Sequence, residues 1–402
     1  MIWNTYSNGN FSPRSKRFFI RGISFMMSLF ILCVSFAFSV CAKEATVVMS
    51  APVPDCKAAI LMEASTGKIL YEKNADEALP PASVTKIMTL LLVMEAIDAG
   101  QINYGDMVTA SAHACSMGGS QIYLKEGEMM SVEDLIKSVV ISSANDAAVA
   151  LAEFISGSEE AFVSQMNEKA RQLGMNNTSF ENTNGLDDTA ISHFTSARDI
   201  AIMSRALIKH KKITEFSSIW MDTIRDGSFG LTNTNRLIRF YRGATGLKTG
   251  STSKAGFCIS ATAEREGMTL ICVIMGASTR DERNSAATAL LDWGFANYAV
   301  YNSPIVEITK IKVKGGVRSE CKLVFDPFST VVDKKSLSNI KYTVQLPDVA
   351  SAPVKKGDVI GQIKYSAGDN EIGSVNIYVK ESIKKISFVD LLLMIICASS
   401  IN

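Results

Sequence analysis

The sequence is poor in the residues that build metal sites and disulfide frameworks. It has three histidines and eight cysteines in 402 residues, and no two cysteines form a Cys-x-x-Cys pair. Three cysteines lie in apolar segments near the ends of the chain, and the other five are widely scattered. This pattern indicates neither a zinc site nor a disulfide framework. Cys258 and Cys272 occur in apolar, strand-like runs, where cysteine acts as a small buried hydrophobe.

The chain also lacks an excess of charge of either sign. Lysine plus arginine number 41 and aspartate plus glutamate 40, so the net charge is +1. Without a large basic field, the sequence does not favour nucleic-acid binding. A hydrophobic content of 47% and a charged content of 20% are those of a globular protein, and the length allows two or three hydrophobic cores.

The amino-terminal segment has the pattern of an export signal. Basic residues within positions 14–21 precede the apolar run ISFMMSLFILCVSFAFSVCA, and polarity returns at Lys43. We predict a signal peptide over residues 1–42, cleaved after Ala42. An uncleaved anchor is the alternative, because about 20 apolar residues can also span a bilayer. Both interpretations place the rest of the chain outside the cytoplasm, at the outer face of the cell membrane or in the cell wall.

Residues 43–302 are predicted to form one α+β domain. The stretch KAAILMEASTGKILYEKN predicts two strands around a turn at Gly67, and a mostly helical region follows, with cap signatures at Ser131 and Ser158. The runs GFCISATAER and MTLICVIMGAS predict a hairpin, followed by a helix around SAATALLDWGFANYA. Helices inserted between the strands of one antiparallel sheet define an α+β fold.

The composition changes near residues 301–304. Residues 303–381 alternate apolar and polar positions between Gly, Pro and Asp turns, which predicts a small all-β domain without a helix before about Ser382. Residues 382–402 place Lys384 and Lys385 before an apolar run that is too short to span a bilayer. This amphipathic tail either lies in a membrane interface or packs on its own domain.

A serine and a lysine occur three residues apart in the motif SVTK. Pro80 and Pro81 prevent a helix from extending backwards, so a helix is predicted to begin near Ser83. The spacing then places the hydroxyl of Ser83 and the amine of Lys86 on one face, beside the unpaired N–H groups of the first turn. These groups could form a nucleophile, a base and an oxyanion site, although SVTK alone also fits a simple helix cap.

Two further polar motifs occur in apolar surroundings. The segment ISSANDAAVALAE interrupts a helical pattern with Ser143 and Asn145, which also fits a turn between helices. The segment GATGLKTGST places Lys248 and Thr249 on a strand, and Gly250 permits close approach of another backbone. A phosphate-binding loop is excluded, because its lysine must follow the last glycine.

The motifs SVTK, SAN and KTG, in this order and at these separations, match those of the active-site-serine penicillin-recognising enzymes. The surrounding segments GGSQIYLKEGEMMSVEDLIKSVVISSANDAAVALAE and GLKTGSTSKAGFCISATAEREGM closely resemble the D-alanyl-D-alanine carboxypeptidases, the low-molecular-weight penicillin-binding proteins. The likeness covers residues 57–298 and continues into the β domain and tail. Ala144 departs from it, because the family usually has glycine there.

The resemblance implies a β-lactamase/penicillin-binding-protein-like fold and an acyl-enzyme mechanism. Ser83 would attack the carbonyl between two D-alanines of a peptidoglycan stem peptide, with Lys86 as base. Ser143 and Lys248 would relay the proton to the departing D-alanine, and Asn145 would hold the peptide. Water would then release the acyl chain, so neither a metal nor a cofactor is expected. β-Lactam antibiotics would be inhibitors.

The resemblance also assigns the groups that bind the substrate's oxygens. The backbone N–H groups of Ser83 and Ser251 would bind the oxyanion. Lys248, Thr249 and Arg283 would bind the terminal carboxylate, which explains a preference for a free carboxyl end. Arg283 could instead form an ion pair with an acidic neighbour on its own helix, Asp281 or Glu282.

Other functions remain to be weighed against this one. The three histidines, His113, His193 and His210, are interpreted as structural, because none is paired with a serine in the sequence pattern. A β-lactamase needs a glutamate-bearing loop, and residues 180–195 offer Glu181 and Asp187 without matching it. The motifs leave a D,D-endopeptidase open. A non-enzymatic cell-wall scaffold is disfavoured by the intact catalytic motifs.

Overall fold

The computed structural model describes residues 50–188, 190–304, 306–308 and 310–399. The predicted signal peptide, residues 1–42, lies outside the described residues. Within those residues, no helix combines the length and the apolar character needed to cross a membrane.

The strands that precede residue 303 belong to one large sheet and several short ribbons. They are β1 (Ala58–Glu63), β2 (Ile69–Lys73), β3 (Met107–Thr109), β4 (Met129–Ser131), β5 (Met221–Ile224), β6 (Phe229–Thr232), β7 (Ala244–Thr252), β8 (Gly256–Arg265), β9 (Met268–Ala277) and β10 (Tyr298–Asn302). The large sheet is antiparallel, in the order β2-β1-β9-β8-β7.

The helices of this part of the chain cover both faces of the sheet. They are α1 (Lys86–Asp98), α2 (Ala112–Cys115), α3 (Val132–Ile141), α4 (Asn145–Ser156), α5 (Glu159–Gln172), α6 (Ala197–Leu207), α7 (Lys211–Ser217), α8 (Leu237–Phe240) and α9 (Arg280–Asn297). Together with the antiparallel sheet they form the predicted α+β architecture.

The side chains of the central strands alternate between the two faces of the sheet, which explains how helices pack on both faces. In β9, Ile271 and Val273 face the core that contains α1 and α6, whereas Cys272 and Ile274 face the core that contains α9. Successive side chains of a strand point to opposite faces, so a strand covered on both sides must be apolar throughout. The predicted burial of Cys272 is confirmed, with no exposed surface.

Helix caps form where the sequence predicts them. The side chain of Ser131 accepts a hydrogen bond from the backbone N–H of Asp134 at the start of α3, and Ser158 caps α5 in the same way. A side-chain oxygen at this position satisfies one of the N–H groups left unpaired in the first turn. The ribbon β3–β4 within the mostly helical region was not predicted, because its strands contain only three residues each.

The carboxy-terminal part is dominated by β structure, as predicted. Its strands are β11 (Lys310–Lys314), β12 (Glu320–Val324), β13 (Ser329–Asp333), β14 (Ile340–Gln345), β15 (Val349–Ser351), β16 (Val359–Ala367) and β17 (Asn370–Val379). A sheet of order β14-β16-β17-β12-β11-β15 packs around Ile363, Tyr365 and Ile377. A 3-10 helix over Lys334–Asn339 was not predicted, and α10 (Phe388–Ser399) forms the tail.

A two-stranded ribbon crosses the predicted domain boundary. Strand β10 pairs with β13, so residues on the two sides of position 302 share one antiparallel ladder. The amine of Lys334 donates a hydrogen bond of 2.7 Å to the carbonyl of Phe295, and that of Lys68 donates one of 3.0 Å to Val331. These contacts connect the β domain to the end of α9 and to the loop between β1 and β2.

Candidate active site

Ser83 lies in a sharp turn directly before the first long helix. Residues Ala82–Thr85 form a 3-10 helix, and α1 begins at Lys86, three residues later than the sequence predicts. The spacing still brings the two side chains together, because residues three apart also align in a 3-10 helix. The amine Nζ of Lys86 lies 2.9 Å from the hydroxyl Oγ of Ser83.

The amine of Lys86 is fully buried and has three hydrogen-bond acceptors. Besides Ser83 it donates to Oδ1 of Asn145, at 2.5 Å, and to the backbone carbonyl of Asn184, at 2.8 Å. Its pKa lies well below the ordinary lysine value, first because burial disfavours the charged form and then because Lys248 is positively charged; Asp146 opposes this shift. An amine with a lowered pKa can act as a base near neutral pH.

The second motif forms a turn between α3 and α4. Ser143 is almost fully buried in a left-handed conformation, with φ 63°, and its side chain lines the same cleft as Ser83. Asn145, the first residue of α4, accepts from Lys86 and donates to the carbonyl of Gly118, at 2.7 Å. Each end of this amide thus has one partner within the protein, and one N–H and one oxygen lone pair remain. The role of Asn145 in holding the substrate stays a prediction.

The next residue, Asp146, was not among the predicted site residues. Its buried carboxylate accepts hydrogen bonds from the backbone N–H groups of Ile122, Leu124 and Ala147. It therefore fixes the loop that leads into the cleft. The sequence signal for Asp146 was its place in the first turn of α4, because acidic residues favour that end of a helix.

The third motif lies on β7, at the edge of the large sheet. Lys248 and Thr249 are almost fully buried, and the pKa of Lys248 falls to about 7, mainly because of burial and then because of the positive charge of Arg283. The hydroxyl of Thr249 donates a hydrogen bond of 2.8 Å to that of Thr234. The buried amines of Lys86 and Lys248 thus lie behind the cleft, and the guanidinium of Arg283 lines it.

Gly250 brings β7 against the backbone of the nucleophile. A Cβ atom at this position would lie 2.8 Å from the nitrogen of Ser83 and 2.9 Å from both the carbonyl oxygen of Pro81 and the nitrogen of Val84. Any side chain would push the two segments apart, so the predicted close approach is confirmed. Ser251 follows directly and lines the cleft beside Ser83.

Arg283 occupies the first turn of α9 and is only 3% exposed. Its guanidinium contacts Oδ1 of Asn284, at 2.9 Å, and the carbonyl of Cys258, at 3.5 Å. In the described part of the chain it forms no ion pair with Asp281 or Glu282, which was the alternative interpretation. Burial lowers its pKa to about 10.

A cleft of about 620 Å³ joins these groups. Its walls are Ser83, Ser120, Ser143, Trp220, Thr232, Asn233, Thr234, Arg236, Phe240, Thr249, Gly250, Ser251, Arg280 and Arg283. Lys86, Asn145 and Lys248 lie behind this surface. The structure therefore brings together all the sequence-predicted site residues.

The histidines make contacts of another kind. The ring of His193 accepts from the backbone N–H of Glu181 and bonds the hydroxyl of Thr85, and burial lowers its pKa to about 4. His113 pairs with Glu159, and His210 with Asp98. Among the described residues, none of the three imidazole rings has a serine hydroxyl as a hydrogen-bond partner.

A nucleophile beside a buried amine, a second serine, and a lysine and threonine on the adjoining strand define an active-site-serine enzyme of the penicillin-recognising type. Comparison with known families supports this class of enzyme. Residues 45–279 match the D-alanyl-D-alanine carboxypeptidase family, and residues 302–385 match the penicillin-binding protein 5 C-terminal domain. The chain therefore belongs to the D-alanyl-D-alanine carboxypeptidase family of serine peptidases.

Individual relatives support this assignment over most of the chain. A D-alanyl-D-alanine carboxypeptidase of Bacillus subtilis, DacF, is 43% identical over 371 residues, which cover 90% of this chain and 94% of that protein. Penicillin-binding protein 5 of Haemophilus influenzae has 33% identity and a TM-score of 0.75, over 84% of this chain and 100% of that structure. Penicillin-binding protein D2 of Listeria monocytogenes, solved with ampicillin bound, has 32% identity and a TM-score of 0.57, over 61% of this chain and 100% of that structure.

Proposed function

We propose that this chain removes the terminal D-alanine from peptidoglycan stem peptides through an acyl-enzyme on Ser83. The contact of 2.9 Å between Ser83 Oγ and the buried amine of Lys86 carries the proposal. The neutral amine accepts the hydroxyl proton while the oxygen attacks the carbonyl between the two D-alanines. Water later cleaves the acyl ester and releases the shortened peptide.

Ser143 and Lys248 deliver a proton to the departing D-alanine. Ser143 lines the cleft, and the pKa of Lys248, about 7, allows its amine to gain and lose a proton near neutral pH. Asn145 acts as a positioning residue, because its Oδ1 accepts from Lys86 and its amide nitrogen donates to Gly118. Asn184 holds the same amine through its backbone carbonyl.

The oxyanion is bound by the backbone N–H groups of Ser83 and Ser251. The close approach at Gly250 supports this assignment, because it brings the two backbone segments into contact. The terminal carboxylate is bound by Thr249 and Arg283, with Lys248 behind them. A buried guanidinium without a carboxylate partner in the described part of the chain is suited to that anion.

Within the described part of residues 180–195, the acidic side chains that could replace the glutamate of a β-lactamase loop, Glu181 and Asp187, are engaged by other groups of the protein. Both carboxylate oxygens of Glu181 accept from backbone N–H groups, those of Ile191 and Ser192. Asp187 accepts from the hydroxyl of Thr252 at 2.5 Å. Glu181 therefore holds its own loop and Asp187 ties that loop to the end of β7, which supports a peptidase rather than an antibiotic-hydrolysing enzyme.

The direct test is release of free D-alanine from a peptide ending in D-alanyl-D-alanine. We expect release by the exported form and none by Ser83→Ala, which should still fold. Mass spectrometry after incubation with penicillin should place the adduct on Ser83. An adduct on Ser143 or on a cysteine would contradict the assignment of the nucleophile.

We further propose that the tail attaches the exported enzyme to the outer face of the cell membrane. Helix α10 exposes apolar side chains, with Phe388 80% and Leu393 56% exposed, and Lys384 and Lys385 precede it. Buried apolar area supplies about 0.025 kcal/mol per Å², so several such side chains support reversible binding. Export itself depends on the predicted signal peptide, residues 1–42.

The attachment is tested by truncation after Ser387 and flotation with anionic vesicles. This position keeps Ile383, which is fully buried in the β domain and pairs with Val354, so the domain should remain folded. We expect the full-length exported form to float and the truncated form to stay in solution. Equal flotation of the two forms would exclude the tail as the anchor.

A further inference from the structure

The nucleophile directly follows a residue in an unusual backbone conformation. Ala82 has φ 49°, in the left-handed region that residues with a Cβ atom rarely adopt. Its carbonyl and the N–H of Ser83 belong to one planar peptide group and point in opposite directions. A contact that fixes the carbonyl of Ala82 therefore also fixes the direction of the Ser83 N–H, which is one of the two proposed oxyanion donors.

A chain of hydrogen bonds ends on this carbonyl. The hydroxyl of Thr85 donates to the carbonyl oxygen of Ala82 at 2.9 Å, and Nε2 of His193 lies 2.8 Å from the same hydroxyl. On the other side of the ring, the backbone N–H of Glu181 donates to Nδ1 at 3.0 Å. Thr85 is fully buried and His193 is only 7% exposed, so these bonds form away from bulk water, where they are electrostatically stronger.

The direction of the chain follows from the partners of the ring. Because Nδ1 of His193 accepts a hydrogen bond from the Glu181 N–H, the proton of the neutral ring is on Nε2. Nε2–H then donates to the hydroxyl of Thr85, whose own hydrogen points at Ala82. Burial lowers the pKa of His193 to about 4, so the ring stays neutral at physiological pH. Hydrogen bonds linked in this way polarise one another, which makes the N–H of the same peptide group a better donor.

The loop that carries His193 also closes over the same carbonyl. A Cβ atom at Gly185 would overlap with the carbonyl oxygen of Ala82 and would lie 2.8 Å from Oγ1 of Thr85. Only glycine permits this approach. The imidazole ring packs edge-on against Phe180, with 5.7 Å between the ring centroids. These groups are separate from the residues that line the cleft, so the loop supports the turn of the nucleophile from outside the cleft.

We propose that His193 and Thr85 are positioning residues for the oxyanion site: they orient the peptide group between Ala82 and Ser83 so that its N–H points at the oxygen of the attacked carbonyl. The inference rests on the proposed acyl-enzyme function. An oxyanion site stabilises the transition state more than the bound substrate. Loss of either side chain should therefore lower the maximal rate of acylation and leave the penicillin concentration that gives half of that rate almost unchanged.

The hydroxyl is tested with Thr85→Val and its control Thr85→Ser. Valine keeps the shape of the side chain and removes the donor, whereas serine keeps the donor. Acylation by penicillin, measured by stopped flow, should be about 30-fold slower for Thr85→Val, because complete loss of an oxyanion donor costs about 10²- to 10³-fold and here the donor is only misdirected. Thr85→Ser should react at nearly the wild-type rate.

Two substitutions of the histidine separate the two nitrogens of its ring. In His193→Gln the amide nitrogen can take the place of Nε2 and donate to Thr85, whereas in His193→Asn the shorter amide reaches only the place of Nδ1. We expect near-normal acylation for His193→Gln and an acylation rate about tenfold lower for His193→Asn, as for the loss of one hydrogen bond. The matched control is His210→Gln, which changes a histidine bonded to Asp98 and should react like the wild type.

Infrared difference spectra of the acyl-enzyme report on the oxyanion site independently of the rates. A hydrogen bond to the ester carbonyl lowers its stretching frequency, so penicillin isotopically labelled at its β-lactam carbonyl gives a band that follows the Ser83 N–H. The band should lie at a higher frequency in Thr85→Val and His193→Asn than in the wild type, Thr85→Ser and His193→Gln. Thermal unfolding measures the stability of each variant separately.

The inference is wrong if acylation and the carbonyl band of Thr85→Val and His193→Asn match those of the wild type. It is also wrong if stability falls while the band stays in place, or if His193→Gln and His193→Asn are equally defective. Each of these results leaves the proposed function standing as long as the wild type releases D-alanine and penicillin labels Ser83. Failure of the wild type in both assays would instead refute that function.

Discussion

The two folded parts of this protein differ in what they bury. Apart from the hydroxyl of Tyr365, the buried polar and charged side chains of the described residues lie between Glu63 and Arg283, and they include Lys86, Asp146 and Lys248. The described residues of the β domain bury only apolar side chains and Tyr365. Glu63 and Asp199 bond nearby turns, whereas Lys86, Lys248 and Arg283 meet at the cleft. Burial of charge is unfavourable for folding unless it is compensated, so catalysis, rather than stability, explains the three basic side chains at the cleft.

The largest expected effect concerns the base. Lys86→Met should lower the rate of acylation by penicillin about 10³-fold, because Ser83 loses its proton acceptor. The melting temperature should stay equal or rise, because a buried amine is replaced by an apolar chain of similar length. Stopped-flow acylation and thermal unfolding measure the two quantities. Near-normal acylation by a folded variant would show that another group is the base.

In the β domain, substitution of a buried residue should lower the stability and leave catalysis almost unchanged, which is the reverse of the effect of Lys86→Met. Tyr365 is fully buried and its ring stacks on that of Phe328 at a centroid distance of 4.2 Å. Tyr365→Ala should therefore destabilise this domain by about 4 kcal/mol. D-Alanine release from a soluble peptide should stay within a factor of two, as it should in the exposed control Tyr342→Ala.

Urea unfolding of Tyr365→Ala followed by circular dichroism gives the free energy. A loss of acylation equal to that of Lys86→Met would contradict the separation of roles between the two parts. It would show that the ribbon β10–β13 transmits disorder from the β domain into the cleft.

The free energy of unfolding measured over a series of pH values reports the effect of burying the amine of Lys248. The folded protein releases the proton of Lys248 near pH 7, whereas an unfolded lysine keeps it until about pH 10.4. The unfolded state binds more protons between these values, so stability should rise with pH in this window. The gain from pH 7 to pH 9 should be about 2 kcal/mol larger for the wild type than for Lys248→Met. Parallel urea unfolding curves of the two proteins would contradict this.

The smallest expected effect concerns the carboxylate pocket. Thr249→Val should lower kcat/KM for a peptide with a free carboxyl end about tenfold, which corresponds to about 1.4 kcal/mol for one lost hydrogen bond. The same peptide with an amidated end should be a poor substrate for both proteins. The difference in kcat/KM between the free and the amidated peptide should therefore be smaller for the variant than for the wild type. If the wild type cleaves both equally fast, Thr249 does not recognise the carboxylate.

Local chemistry by itself determined much of this protein. The strands β8 and β9, the caps at Ser131 and Ser158, and the contact between Ser83 and Lys86 all depend on residues close together in the chain. The alternation of side chains along a strand, the caps before a helix and the spacing of three between Ser83 and Lys86 each involve residues only a few positions apart. Such features can be predicted without knowledge of the rest of the fold.

Only the tertiary structure decided which groups surround the amine. Asn184 contributes a backbone carbonyl, which every residue possesses, so no motif marks it. The engagement of Asn145 with Gly118 and the burial of Arg283 likewise depend on segments distant in the sequence. The lowered pKa values of Lys86 and Lys248 follow from that assembly, because desolvation arises only when separate elements close over a side chain.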